Sequence, residues 1–257
     1  MKRILHISLI ILFGIAIMAL MGFIVYEHGR QPINEVKIHI SASEDAGFLN
    51  EKIIKQLVLS ADSVETKKIR ELRMQQFEQA ISRNPFVDHV DAYLGINRDL
   101  LIHVEERKAL LRIYLPDNKS FYIDEDGYMF PLCSYYSPRT LIANGYIKTP
   151  DFVLLKSATD SIFTGTHLPG LYRLAGHISE SLFLDALVSQ IYINSKGEYD
   201  LIPELGMQTI QLGSLDNLEE KLRNLEAFYK EKLPKEGWTK YETINLMYKN
   251  QIVCKKK

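Results

Sequence analysis

Asn84-Pro85-Phe86-Val87-Asp88-His89-Val90-Asp91-Ala92-Tyr93-Leu94, followed after a short turn by Leu100-Leu101-Ile102-His103-Val104-Glu105-Glu106-Arg107, decides how the first part of this chain folds. Phe86 to Leu94 reads as a strand. Asn97-Arg98-Asp99 supplies turn chemistry. Leu100, Ile102 and Val104 then alternate along a second strand that ends at Glu106. Upstream, Ile69, Leu72, Phe77, Ala80 and Ile81 recur at helical spacing, and Ser63 or Thr66 is expected to open that helix. Asn84-Pro85 closes it, because proline disfavours helical geometry in the residue before it. Further back, Asn50 is placed to cap a short helix carrying Ile53, Ile54 and Leu57. Val36, Ile38 and Ile40 alternate with Lys37 and His39 as a first strand. Residues 33–107 thus read as β-α-α-β-β.

Toward the N-terminus the chain changes character. Lys2 and Arg3 precede an apolar run from Ile4 to Val25, and no charged side chain follows until Glu27. A helix of that length rises about 33 Å, close to the hydrocarbon thickness of a bilayer. The run has no polar face, so it is no core helix. It is longer than a signal-peptide core and ends without a small-x-small cleavage site. Residues 1–3 are therefore expected in the cytoplasm under the positive-inside tendency. Residues 4–25 would form a retained anchor and 26–32 a juxtamembrane spacer. The remainder would be exported.

Residues 108–254 read as mostly β, with 255–257 a basic tail. Leu110 to Leu115 is a strand, and Phe121 to Asp124 and Tyr128 to Phe130 flank the tight turn Glu125-Asp126-Gly127. Thr140 to Ile147 and Asp151 to Leu155 are further expected strands in a stretch, 133–168, that is hard to read. Gly170 to Gln190 carries one or two helices. Ile191–Asn194, Glu198–Ile202 and Met207–Leu212 form a meander. Leu215, Leu218, Leu222, Leu225 and Tyr229 then recur at 3-4-3-4 spacing, which predicts a helix over 215–233 ended by Pro234 and Gly237. A final strand is expected from Thr243 to Cys254. Its even positions Ile244, Leu246, Tyr248, Ile252 and Cys254 make an apolar face interrupted by Asn250.

The formal net charge of −1 and pI of about 6.7 imply no basic surface for nucleic acid. The seven histidines form no H-x-x-x-H or H-E-x-x-H pattern, and neither a phosphate loop nor G-x-S-x-G nor C-x-x-C occurs. Asp124-Glu125-Asp126-Gly127 lacks the ligand spacing of a calcium loop. No catalytic, metal or cofactor site is therefore assigned. Cys133 and Cys254 stand too far apart in sequence to resemble a metal site, and sequence does not say whether they meet.

At these residues the chain resembles a known family. Asn84-Pro85-Phe86-Val87 and Val104-Glu105-Glu106-Arg107, in the order β-α-α-β-β, resemble a POTRA domain. Directly after a membrane anchor, that arrangement is similar to the FtsQ/DivIB family of bacterial division proteins. The hairpin around Gly127, Leu212-Gly213, the amphipathic helix, Trp238 and the terminal strand follow the family's order. Gly237 to Tyr241 and Asn245 to Asn250 look most like its Bacteroidetes branch. The resemblance implies an α+β protein: one N-terminal span, a POTRA domain, then a β-rich domain with a flanking helix and a C-terminal edge strand. It implies a non-enzymatic scaffold at the inner membrane and division septum, with FtsB-like and FtsL-like proteins and the septal peptidoglycan synthesis machinery as partners. One departure is Asn245-Leu246-Met247-Tyr248 where many relatives read Asp-Leu-Arg-Tyr. Lys249, two residues on and facing the same side, is the candidate replacement for the missing arginine.

An unpaired edge at Thr243–Val253 could accept a partner strand. The contact residues expected there are Asn245, Met247, Tyr248, Lys249, Asn250 and Gln251, with Arg223 on the helix behind. Tyr248 has a second reading, as a core residue on the apolar face. Two other functions stay open: a membrane-anchored envelope enzyme, which would need a catalytic constellation, and a POTRA-type outer-membrane biogenesis or secretion factor, which would need lipid-facing barrel strands.

Overall fold

A computed structural model describes residues 2–41, 47–61, 68–149, 154–249 and 251–257. Helix α1 spans Lys2–Gly29, so Tyr26 to Gly29, expected in the spacer, continue the helix. Ile11–Gly29 is long and apolar enough to cross a membrane, and none of its residues is buried. The chain divides into two compact units, the first including α1 and ending at Glu106, the second running from Arg107 to Lys257 and including Phe48.

In the first unit, β1 (Val36–Ser41), α2 (Glu51–Ala61), α3 (Met74–Ser82), β2 (Val87–Leu94) and β3 (Leu100–Glu106) follow the expected order. Asn50 caps α2 through its Oδ1, which accepts the Ile53 N–H at 2.9 Å. The sheet order is β1-β3-β2, parallel between β1 and β3 and antiparallel between β3 and β2. Ile54 and Val58 of α2 and Phe77 and Ile81 of α3 pack on Leu100, Ile102 and Val104 of β3, all essentially buried. Ala92 on the β2 edge donates its N–H to Glu78 Oε1 of α3.

The second helix differs from expectation. Ser63 and Thr66 lie outside the described residues. Ile69–Glu71 forms a separate 3-10 turn, Leu72 is extended, and α3 starts only at Met74. The reason is a competing use of the backbone. Pro32 and Lys68 form an antiparallel bridge, and the Ile69 N–H donates to the Gln31 carbonyl at 3.0 Å. A donor committed outside the helix cannot also propagate it.

The second unit is built on nine strands in the order β12-β11-β10-β9-β8-β7-β4-β5-β6. They are β4 (Ala109–Tyr114), β5 (Ser120–Asp124), β6 (Met129–Phe130), β7 (Leu141–Gly145), β8 (Val188–Ile193), β9 (Tyr199–Pro203), β10 (Thr209–Gly213), β11 (Tyr241–Asn245) and β12 (Val253–Lys256). The turn at 125–127 is as expected, with Gly127 at φ +82°. Helices α4 (Leu168–Ser179), α5 (Leu182–Leu187) and α6 (Leu218–Ala227) pack Leu171, Leu174, Leu187, Leu222 and Leu225 into one core with Ile113, Ile191, Leu201 and Ile210. β5 is covered on both faces. Phe121 and Ile123 join that core, while the Tyr122 ring lies tilted against Phe130 and edge-on to Phe48.

Three expectations need correction here. Asp151 to Val153 lie outside the described residues, and Leu154-Leu155 are not a strand; the Leu155 N–H instead donates to the Met129 carbonyl on β6. The long helix begins at Leu218 because Asn217 sits in the left-handed region at φ 52°. It also passes Pro234, which opens α7 (Leu233–Glu236), and stops at Gly237 with φ 98°. The missing N–H of Pro234 is accommodated by a π turn over Phe228–Lys232, in which the Leu233 N–H reaches back to the Phe228 carbonyl. The third correction concerns the last strand. Thr243 to Cys254 is not one strand but a hairpin, β11 and β12, joined by residues 246–252.

Candidate functional site

β11 is seated by its inner neighbour. It pairs parallel with β10, Thr209 opposite Thr243 and Gln211 opposite Asn245. Ile244 and Leu246 are buried in the core. The Leu246 N–H donates to the Gln211 carbonyl at 2.9 Å, and Asn245 Nδ2 donates to Gln211 Oε1 at 3.0 Å. Asn245 Oδ1 then accepts the Met247 N–H at 2.8 Å, which turns the chain out of the sheet.

The expected contact residues separate at this point. Asn245 ends β11, half-buried and engaged with β10. Met247, Tyr248, Lys249 and Gln251 are exposed on the connecting loop, with Tyr248 at 52%. Tyr248 is therefore no core residue. Asn250 lies outside the described residues. Arg223 is exposed on α6 but does not line the cleft that α6 makes with the loop. That cleft, of about 70 Å³, has Glu220, Lys221 and Asn224 on its helix side and Leu246 to Lys249 and Gln251 on the other. It is far smaller than the ~300–1,000 Å³ of small-molecule sites. Lys221 anchors it: its Nζ donates to the Leu212 and Ser214 carbonyls at 3.0 and 2.7 Å, and burial lowers its pKa.

The residues that sequence reading missed are those of β12 itself. Asn245 pairs with Val253 and Ile244 with Cys254, and β12 is the outermost strand of the sheet. Val253 is 44% exposed, Cys254 is half-buried and carries a free thiol, and Lys255 and Lys256 are exposed. Lys255 pairs with Glu242 across the hairpin at 2.7 Å. The opposite edge is covered, because Met129 on β6 exchanges backbone bonds with Leu155 and Lys156. Lysines on an open edge discourage indiscriminate pairing.

The approach to β11 is fixed by a clamp. Glu236 accepts from Lys240 Nζ at 2.6 Å and from the Tyr241 hydroxyl. Behind it, Gln208 Nε2 donates to the Tyr229 hydroxyl, whose pKa burial pushes up to about 12, and Trp238 lies against the Tyr229 ring. The bonds from Lys240 and Tyr241 hold the Glu236 carboxyl down to about 2. A depressed carboxyl contributes its stability in full above its ordinary value, and that contribution is lost as pH falls through the folded value. Glu236→Gln is thus expected to lower the thermal midpoint at pH 7 by no more than about 3 °C, the clamp being exposed. Near pH 2 the difference should vanish, and an equal loss at both pH values would contradict the clamp.

Among the described residues, no three His, Cys, Asp or Glu side chains are grouped to hold a metal ion. A comparison with curated proteins found none that matches this chain. Two family models do match: residues 32–105 fit a POTRA-like domain, and residues 108–255 fit the model described as FtsQ/DivIB, C-terminal related. The second match covers more than half of the sequence and spans β4 through β12, including the open edge. With its candidate membrane span at the N-terminus and a role in cell division supported by that match, the chain belongs to the FtsQ/DivIB, C-terminal related family.

Proposed function

We propose that this protein is a non-enzymatic scaffold of the bacterial division complex that binds FtsB-like and FtsL-like proteins by accepting a partner strand on β12. In this reading α1 anchors it in the inner membrane with Lys2 and Arg3 in the cytoplasm. Both folded units lie in the periplasm, at the septum, where they help position peptidoglycan synthesis. Residues 33–107 serve as the POTRA domain and 108–254 as the partner-binding domain.

The observation that carries the reading is the asymmetry of the nine-stranded sheet. Its β6 edge is closed by the chain itself, while among the described residues no strand pairs on the outer side of β12, which carries Lys255 and Lys256. An added strand gains main-chain bonds along such an edge, and side chains set register and partner choice. The lysines favour an acidic segment. Met247, Tyr248, Lys249 and Gln251 then flank the bound strand from the hairpin loop, and Asn250 and Arg223 complete the proposed contact set. Affinity purification of the full chain from cross-linked membranes is expected to recover the small coiled-coil division proteins. Their absence, together with turnover of a cell-wall substrate by the purified chain, would replace this reading with an envelope enzyme.

A further inference from the structure

The 28 residues of α1 rise about 42 Å, more than the ~30 Å of a hydrocarbon core. One end of the helix must therefore stand in the headgroup layer or beyond. At the C-terminal end, Tyr26 is of the residue type that collects at that level, and the Arg30 guanidinium lies 5.6 Å over its ring. The chain leaving the helix is then tied at once to a distant segment. Pro32 bridges Lys68, and the Ile69 N–H donates to the Gln31 carbonyl. The tie is made by backbone groups, so it holds residues 68–73 beside the membrane exit whatever their side chains are.

Those side chains are strongly biased. Lys68-Ile69-Arg70-Glu71-Leu72-Arg73 sets three cations against one acid in a chain of net charge −1. Leu72, and Met74 beyond it, pack against the first unit's core, while Arg73 is exposed. A solvated face would be the bland account. Among the described residues, neither Lys68 nor Arg73 is held in an ion pair, so no internal contact accounts for their charge.

We propose that Lys68 and Arg73, together with Arg30, form a docking surface for the phosphates of anionic lipid headgroups and hold the first unit against the bilayer where α1 emerges. The inference rests on α1 crossing the membrane. It is independent of the partner strand on β12 and of which leaflet faces the unit. A cation beside an anionic surface is worth about fivefold in local binding, so three together shift the docked-to-free ratio roughly a hundredfold.

The test uses the full chain in nanodiscs of phosphatidylcholine, with or without phosphatidylglycerol, read by hydrogen exchange of peptides covering residues 68–73. Exchange is expected to slow at least about tenfold in the anionic discs. Protection should be lost in high salt, as surface electrostatics require. It should also be lost in the triple variant Arg30→Gln, Lys68→Gln, Arg73→Gln, and kept when the same positions exchange Lys for Arg and Arg for Lys. Peptides from the second unit report that each variant is folded. Equal exchange in the two discs would overturn the proposal. So would protection that survives the triple variant, or protection by inorganic phosphate in neutral discs, which would mark a phosphate site instead of a membrane surface.

Discussion

A proline at one of two adjacent positions in β12, Cys254→Pro or Lys255→Pro, is expected to weaken binding of an acidic partner segment roughly ten- to a hundredfold while leaving the fold intact. Successive N–H groups of a strand point to opposite sides. One of the two positions therefore donates outward, and the other donates to β11. Loss of the outward donor leaves a partner carbonyl unpaired, which costs about 1–3 kcal/mol, and each 1.4 kcal/mol is a factor of ten. Loss of the inward donor should lower both binding and the thermal midpoint, because it breaks the hairpin that pairs Ile244 with Cys254. Lys249→Glu, on the exposed loop, should weaken the same binding through charge alone with little effect on stability. The measurement is titration of the full chain with a peptide from the C-terminal part of an FtsB-like protein. Wild-type affinity in both proline variants would end the strand-addition reading.

The largest loss of stability is expected from Asp124→Ala, about 3–5 kcal/mol, or roughly 10 °C in thermal midpoint. Asp124 is 3% exposed at the end of β5. Its carboxylate meets the Arg107 guanidinium and accepts the Asp126 and Tyr128 N–H groups, the latter at 2.6 Å. Arg107 lies over the Tyr128 ring at 4.3 Å. Burial pushes the Asp124 pKa up, and the bonds from Arg107 and the turn amides pull it back only in part. The attraction of the pair therefore does not outrun its desolvation. What Asp124→Ala loses is the satisfaction of the two turn amides and the counter-charge of a guanidinium that is only 10% exposed. Arg107→Met combined with Asp124→Leu should recover the second loss but not the first. Urea or thermal unfolding of the full chain in nanodiscs reads both, and a midpoint for Asp124→Ala within 2 °C of wild type would refute the account.

Much of the fold was legible because its signals are local. The Asn50 cap, the stop at Asn84-Pro85, the turn at Gly127 and the alternation of β1 and β3 each depend on a few neighbouring residues. The helix expected from Ser63 or Thr66 was not legible, since the Ile69 N–H is committed to Gln31, a residue far away in sequence. The long helix ran past Pro234 because a π turn, which periodicity does not reveal, absorbed the missing donor.

The candidate site shows the division most clearly. The apolar alternation of Ile244, Leu246, Ile252 and Cys254 was read correctly, and all four do turn to the core. That alternation is nevertheless the same for one strand and for a hairpin whose paired residues share parity, as Ile244 and Cys254 do. Paired residues on adjacent strands lie on one face, so the period of two continues across the turn without a break. Tyr248 sits in phase with the core positions and yet is exposed, because it stands in the loop. The sequence by itself determined the apolar N-terminal helix, most of the elements and which side of each is apolar, since these follow from composition and period along the chain. Only the tertiary structure decided that β10 and β11 run parallel, that β6 is covered by Leu155 and that β12 is left open. Those outcomes depend on which distant backbone groups find each other when the core closes, and a one-dimensional pattern holds no record of that choice.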